Sequence, residues 1–231
     1  MRVLDLFSGI GGFSLGLERA GMKTVAFCEI DEYARKVLKK HWPDVPIDRD
    51  ITKRDFFSGE ADVICGGFPC QDISDAGKRT GLAGQRSGLW RELVRAIRLV
   101  RPLYALVENV AALLGRGMAT VLGDLAAIGY DAEWHCIPAS AVGAPHPRDR
   151  IWIVAHPRVS RLSRIHEAGG RKHMQSVAPT LRRDWTPEPE MDRVANGIPR
   201  RLVLDEIRVI GNAVVPQIPE AIGRAIMARN D

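Results

Sequence analysis

The chain has 231 residues, 45% of them apolar and 26% charged, a globular composition with enough length for one sizeable core and a small appended lobe. No apolar run approaches the roughly 20 residues that span a bilayer, so a membrane role is not expected. The net charge of +5 suits a polyanionic partner without requiring one, since an excess of this size is common in proteins that bind no nucleic acid.

Up to about residue 156, short apolar runs rich in β-branched residues alternate with longer amphipathic segments. This is the rhythm of a parallel sheet covered by helices. Strands are predicted near residues 3–7, 24–28, 62–65, 104–107, 131–137 and 151–155, with helices between them. The clearest helix spans 88–100, where Leu89, Leu93, Ile97 and Val100 recur at helical spacing and Arg91, Arg95 and Arg98 take the other faces. Pro102 stops it. A second helix is predicted over 118–128 and ends at Gly129, a residue free to adopt the left-handed cap conformation.

After His156 the composition changes. Residues 157–201 are rich in Arg, Lys, His, Pro and Ser and poor in apolar residues, which predicts a small surface lobe too short for a core of its own. Residues 202–229 are periodic again, with Ile218, Ile222 and Ile226 on one helical face. The expected organisation is a main domain formed by 1–156 with 202–231, carrying a lobe at 157–201.

The opening residues show no secretory signal, and a cytoplasmic location is expected. Cys28, Cys65, Cys70 and Cys136 form no CxxC pair and no zinc-spaced cluster with histidine, so neither a metal nor a disulfide is expected.

The segment Asp5-Leu-Phe-Ser-Gly-Ile-Gly-Gly-Phe follows the first strand and opens a helix, the place where an open α/β sheet binds a nucleotide-like cofactor. Gly9, Gly11 and Gly12 allow a sharp turn and close approach to a ligand. Ser14 occupies the third position of the dinucleotide fingerprint, which disfavours a nicotinamide oxidoreductase. Glu29 ends the second strand, where an acid accepts hydrogen bonds from ribose hydroxyls, and Asp50 with Ile51 could hold an adenine edge and face.

Gly66-Gly-Phe-Pro-Cys-Gln-Asp-Ile-Ser follows the third predicted strand. A lone cysteine is usually a small buried apolar residue. Cys70, in a polar Gly-Pro loop at the carboxyl end of a strand, is instead a candidate nucleophile, with Pro69 constraining the backbone beside it. Glu108-Asn-Val closes the next strand at the same sheet edge. A cysteine and an acid together suggest attack on an electron-poor ring: C6 of cytosine resists a thiolate unless N3 is polarised, and a carboxylic acid of raised pKa can supply that hydrogen bond.

These motifs, in this order, resemble the C5-cytosine DNA methyltransferase family. Gly84-Gln-Arg-Ser-Gly-Leu89, Arg148-Asp-Arg150 and Gly211-Asn-Ala-Val-Val-Pro216 are similar to its later motifs. His146 replaces the usual Gln before the paired arginines, Ile30 stands where an aromatic often follows the ribose acid, and the lobe is shorter than the family's recognition domain.

The resemblance implies an α/β, Rossmann-like S-adenosylmethionine-dependent methyltransferase sheet with a small basic recognition lobe. It implies catalysis by Cys70, Glu108, Arg148 and Arg150, and a cofactor pocket of Phe7, Gly9, Ile10, Gly11, Gly12, Glu29, Ile30, Asp50, Ile51, Pro69, Leu89, Asn212 and Val214. Gln71, Ser74, Arg158, Arg161, Arg164, Arg171, Lys172, Arg182 and Arg183 are the expected DNA contacts. The implied partner is double-stranded DNA, bound by a monomer without metal, in the setting of restriction–modification. A tRNA-methylating relative of the same fold and a catalytically silent DNA binder are the alternatives; the intact Cys70, Glu108 and Arg150 set argues against the silent one.

Overall fold

A computed structural model describes residues 1–69, 88–158, 209 and 211–230. One seven-stranded sheet organises them: β1 (Arg2–Leu6), β2 (Lys23–Cys28), β3 (Ile47–Asp48), β4 (Val63–Gly66), β5 (Tyr104–Val110), β6 (Tyr130–Pro138) and β7 (Asp149–Pro157), in the spatial order β3-β2-β1-β4-β5-β7-β6. The helices are α1 (Gly12–Arg19), α2 (Glu32–His41), α3 (Gly88–Val100), α4 (Leu113–Arg116), α5 (Met118–Ala127) and α6 (Gln217–Asn230).

The central strands are apolar on both faces because helices cover both. Val3, Leu4 and Leu6 of β1 and Val63, Ile64 and Cys65 of β4 are fully buried. On one face α3 and α5 contribute Trp90, Leu93, Ile97, Val121 and Leu125 to a core. On the other, Phe13 and Leu17 of α1 meet Ile218, Ile222 and Ile226 of α6, and Trp152 packs edge-on to Phe13 at 5.5 Å. Each such side chain contributes about 1.5–3 kcal/mol on burial. The isoleucine stripe that predicts the last helix is thus the face that carries it back onto α1, 200 residues earlier in the chain.

That docking is tight enough to dictate residue types. A Cβ on Gly16 would lie 2.2 Å from the Pro216 carbonyl oxygen, and one on Gly223 would lie 2.8 Å from Ala20 Cβ. Only glycine lets the two helices approach this closely.

The expectation of a parallel sheet holds for the pairs among β1 to β5 and fails at the far edge. β7 runs antiparallel to both β5 and β6. The physical reason is the connection from β6 to β7, residues 139–148, which holds only a short 3₁₀ turn (Ala139–Val142) and is too short for a crossover helix. β3 escaped prediction because two residues carry no periodicity, and β5 extends beyond the predicted end at residue 107 to include Glu108, Asn109 and Val110.

Strand order reverses direction between β1 and β4: β2 and β3 lie to one side of β1, β4 and β5 to the other. In sheets of this topology the loops leaving these strands diverge, so a ligand crevice is expected at the carboxyl edge of the sheet.

Candidate active site

The turn after β1 forms one wall of that crevice. Phe7 and Gly9 adopt φ values of 55° and 52°, and Gly11 one of 86°. The buried Glu29, just past β2, accepts from the Gly9 N–H on Oε2 and from the Asp31 N–H on Oε1, each at 2.7 Å. The acid expected at a ribose thus also holds the glycine turn in place.

The three glycines do different work. Among the described residues nothing lies within 4 Å of where a Cβ on Gly9 would stand, so of the three this is the one whose backbone is left open. A Cβ on Gly11 would strike the Trp42 ring at 2.6 Å, and one on Gly12 the Val214 carbonyl oxygen at 2.4 Å. Gly11 and Gly12 are thus demanded by packing against α2 and the C-terminal segment. Ser14, which breaks the dinucleotide pattern, donates its hydroxyl to the fully buried Asp5 carboxylate at 2.7 Å.

Ile30 is 76% exposed immediately after Glu29. Ile51 is buried, and Asp50 accepts from the Thr52 N–H and hydroxyl, bonds that hold its carboxyl below the usual range. Arg95 of α3 donates to the Ile51 and Arg54 carbonyls and stacks over Phe56, pinning this turn to the helix. Leu89 is half-buried at the start of α3, Pro69 half-buried after β4, Val214 half-buried and Asn212 exposed near α6. The position of Ile10 is half-buried on the turn itself.

The second wall is built by β4, β5 and β7. Glu108 on β5 lies diagonally across the ladder from Arg150 on β7, with Arg150 Nε 3.0 Å from its Oε1. Burial pushes the Glu108 carboxyl up, against the opposing pull of Arg150 and then Arg148. Its other oxygen hangs over the loop leaving β4: a Cβ on Gly67 would lie 3.0 Å from Oε2. Next to it Asn109, 2% exposed, donates from Nδ2 to the Phe68 carbonyl at 3.0 Å while its Oδ1 accepts from the Val110 N–H. The strand bearing the acid is thereby tied to the segment that precedes Cys70.

Asn109 was given no role on sequence grounds. Its signal was an amide closing an otherwise apolar run, where an unpaired polar group would be costly.

Arg148 points elsewhere than expected. It donates from Nη1 to the Gly211 carbonyl and from Nη2 to the Ala213 carbonyl, both at 2.8 Å. Arg158 sits at the opposite end of β7 from Arg150, where its backbone N–H donates to Gly129 and its guanidinium meets Asp131 at 3.0 Å. β7 also runs through Pro157, so this part of the expected lobe belongs to the sheet. Cys70, Gln71, Ser74, Arg161, Arg164, Arg171, Lys172, Arg182 and Arg183 lie outside the described residues. Of the other cysteines, Cys28 and Cys65 are buried, and burial pushes their thiols up, to about 12 for Cys28, which makes them poor nucleophiles. Cys136 is exposed on the outer strand β6.

Among the described residues no helix is long and apolar enough to cross a membrane, and no group of three or more His, Cys, Asp or Glu is arranged to hold a metal. Residues 1–190 match the family model for C-5 cytosine-specific DNA methylase. The chain belongs to the C-5 cytosine-specific DNA methylase family.

Relatives of this methylase family include the type II methyltransferase M2.BsuMI of Bacillus subtilis (strain 168), 40% identical over 164 residues, which are 67% of this chain and 42% of that protein. The type II methyltransferase M.HgiBI of Herpetosiphon aurantiacus is 31% identical over 223 residues, 94% of this chain and 50% of that one. The chain thus spans half or less of the length of these curated methylases. A solved structure of a Spodoptera frugiperda DNMT2 variant superposes with a TM-score of 0.56 at 23% identity, over 68% of this chain and 50% of that one, and supports the Rossmann-like methyltransferase fold.

Proposed function

We propose that this methylase moves a methyl group from S-adenosylmethionine to C5 of a cytosine flipped out of double-stranded DNA, with Cys70 as covalent nucleophile. The observation that carries the proposal is the largely buried Glu108 carboxyl, held by Arg150 at the carboxyl end of β5 beside the loop that leads to Cys70.

The crevice fits the cofactor. Gly9 offers unobstructed backbone, Glu29 retains lone pairs for ribose hydroxyls, and Ile30, Asp50 and Ile51 offer a face and an edge to adenine. When bound, the sulfonium supplies an electrophilic methyl group.

The protein's own share of the chemistry begins with the Cys70 sulfur, which adds to C6 of the ring. Glu108 donates a proton toward N3, so the electron pair released at C5 is stabilised until C5 is methylated. The C5 proton is then lost to a base, its electron pair expels the Cys70 thiolate from C6, and the N3 proton returns to Glu108, which restores the aromatic ring. A raised pKa suits Glu108 to this task, because the acid must still hold its proton near neutrality. Arg150, close to both the acid and the crevice, would bind the O2 side of the ring. Flipping costs a few kcal/mol, offset by contacts in the pocket.

Gln71 and Ser74 would contact DNA from the loop. Arg161, Arg164, Arg171, Lys172, Arg182 and Arg183 of the lobe would meet phosphates and guanine edges. Binding that weakens steeply with rising salt is expected of such contacts.

The test is bisulfite sequencing of DNA from cells expressing the chain, alongside Cys70→Ala. Site-specific protection lost in the variant, with the fold retained, supports the reading; protection that persists in Cys70→Ala overturns it. Labelled methyl transfer to tRNA but not to duplex DNA would instead assign an RNA substrate.

A further inference from the structure

We propose that Arg148 is a positioning residue, which fastens the 211–214 segment beside the glycine turn and so holds one wall of the cofactor pocket. This rests on the methyl-transfer reading above, and extends it to a residue that acts on the pocket's wall and leaves the cytosine to Arg150 and Glu108.

The contacts are specific. One guanidinium takes two carbonyls, Gly211 and Ala213, each on a different terminal nitrogen at 2.8 Å, so the planar fork fixes the distance between them. On its far side the same segment presents the Val214 carbonyl to Gly12, so closely that a Cβ there would lie 2.4 Å from the oxygen. The segment is therefore gripped from both directions, by the first turn of α1 and by the residue just before β7.

The backbone at Arg148 bears the cost of this arrangement. Its φ is +36°, in the left-handed region that a residue with a Cβ seldom occupies. The neighbouring chain holds it there: the Ala139 N–H donates to the Pro147 carbonyl at 2.6 Å. This strained entry to β7 directs Arg148 toward the C-terminal segment, while Arg150, two residues on, is directed to Glu108. The two arginines of the motif thereby divide their work. A group whose two terminal nitrogens are both engaged by main-chain carbonyls is well placed to hold the wall of a pocket and poorly placed to bind a ring.

The decisive measurement is calorimetric titration of the 231-residue chain with S-adenosylhomocysteine, without DNA, for wild type and the variants Arg148→Gly, Arg148→Ala, Arg148→Lys and Arg150→Ala. Arg148→Gly removes the clamp while accommodating the positive φ, which protects it from simple misfolding. Expected are a tenfold or greater rise in Kd for Arg148→Gly and Arg148→Ala, a smaller rise for Arg148→Lys, which can return one of the two hydrogen bonds, and a change within twofold for Arg150→Ala. In methyl transfer, KM for S-adenosylmethionine should rise in Arg148→Gly while kcat at saturating cofactor stays within about threefold of wild type; Arg150→Ala should lose kcat.

A folded Arg148→Gly that binds cofactor as wild type does overturns the proposal, whether or not it turns over. Failure of all three Arg148 variants to fold overturns it too, by making the residue a general structural support. A wild-type chain that binds no cofactor removes this inference together with the function it rests on, whereas a wild type that binds and methylates beside an unaffected Arg148→Gly removes this inference alone.

Discussion

Arg150 Nε stands 3.0 Å from Glu108 Oε1, a diagonal pair across the antiparallel ladder of β5 and β7. Two opposing influences meet in this contact: burial favours the neutral acid, and the guanidinium favours the carboxylate. Burial prevails, so the acid keeps its proton to higher pH than a free glutamate. The antiparallel turn of β7 makes the pair possible, because it brings the start of that strand to the end of β5.

The first prediction concerns pH. If protonated Glu108 is required, methyl transfer falls as pH rises through its folded pKa. Arg150→Met removes the larger of the two charges that pull this pKa down, so the falling limb should move to higher pH even as the maximal rate drops. Glu108→Gln should lower turnover by about 10²–10⁴-fold with little change in Tm. Single-turnover rates between pH 5 and 9 check both, and a limb that stays in place in Arg150→Met would contradict the assignment.

Asp5 predicts a pH dependence of stability. Its carboxyl is fully buried, and burial raises its pKa from 3.8 to about 7, against the lowering effect of the Ser14 hydrogen bonds. The side chain of Cys65, beside it in the ladder, adds a further lowering influence. Because the folded pKa lies above the unfolded one, the native state holds an extra proton between the two values and stability falls as pH rises through that window. About three pH units at 1.36 kcal/mol each give roughly 4 kcal/mol. Asp5→Asn should flatten the decline, measured as Tm against pH from 4 to 8.

The glycine contacts predict opposite effects at similar residues. Gly12→Ala and Gly16→Ala would drive a Cβ into the Val214 and Pro216 carbonyl oxygens and should each cost about 1–3 kcal/mol. Gly123→Ala, inside α5 with open space around the new methyl, should stabilise by about 0.5–1 kcal/mol. Thermal unfolding of the three variants would reveal the difference in sign.

Asn109→Ala removes the donor to the Phe68 carbonyl and should cost about 1–3 kcal/mol. Turnover should fall further than stability accounts for, since the bond ties the acid's strand to the loop before Cys70. Asn109→Asp keeps the acceptor for the Val110 N–H but sets a carboxylate against a carbonyl, so it should do no better than alanine. Calorimetry and methyl-transfer rates on the same preparations separate the two effects.

Much of this protein was legible in its residues one after another. Apolar period and glycine punctuation are local signals, so the alternation of strands and helices, α3 with its Leu93–Ile97–Val100 face and the isoleucine stripe of α6 could be read directly. The glycine turn, Glu29 and Glu108 stand at strand ends, where position along the chain already implies position at the sheet edge. What tertiary structure alone decided were contacts between distant parts of the chain: that Gly12 is small for Val214, that β7 turns back, that Arg148 holds Gly211 and Ala213, and that Arg158 lies at the far end of β7. No period in the sequence encodes which residue 200 positions away will press against a given carbon, because that is settled only when the helices close on the sheet and exclude every arrangement but one.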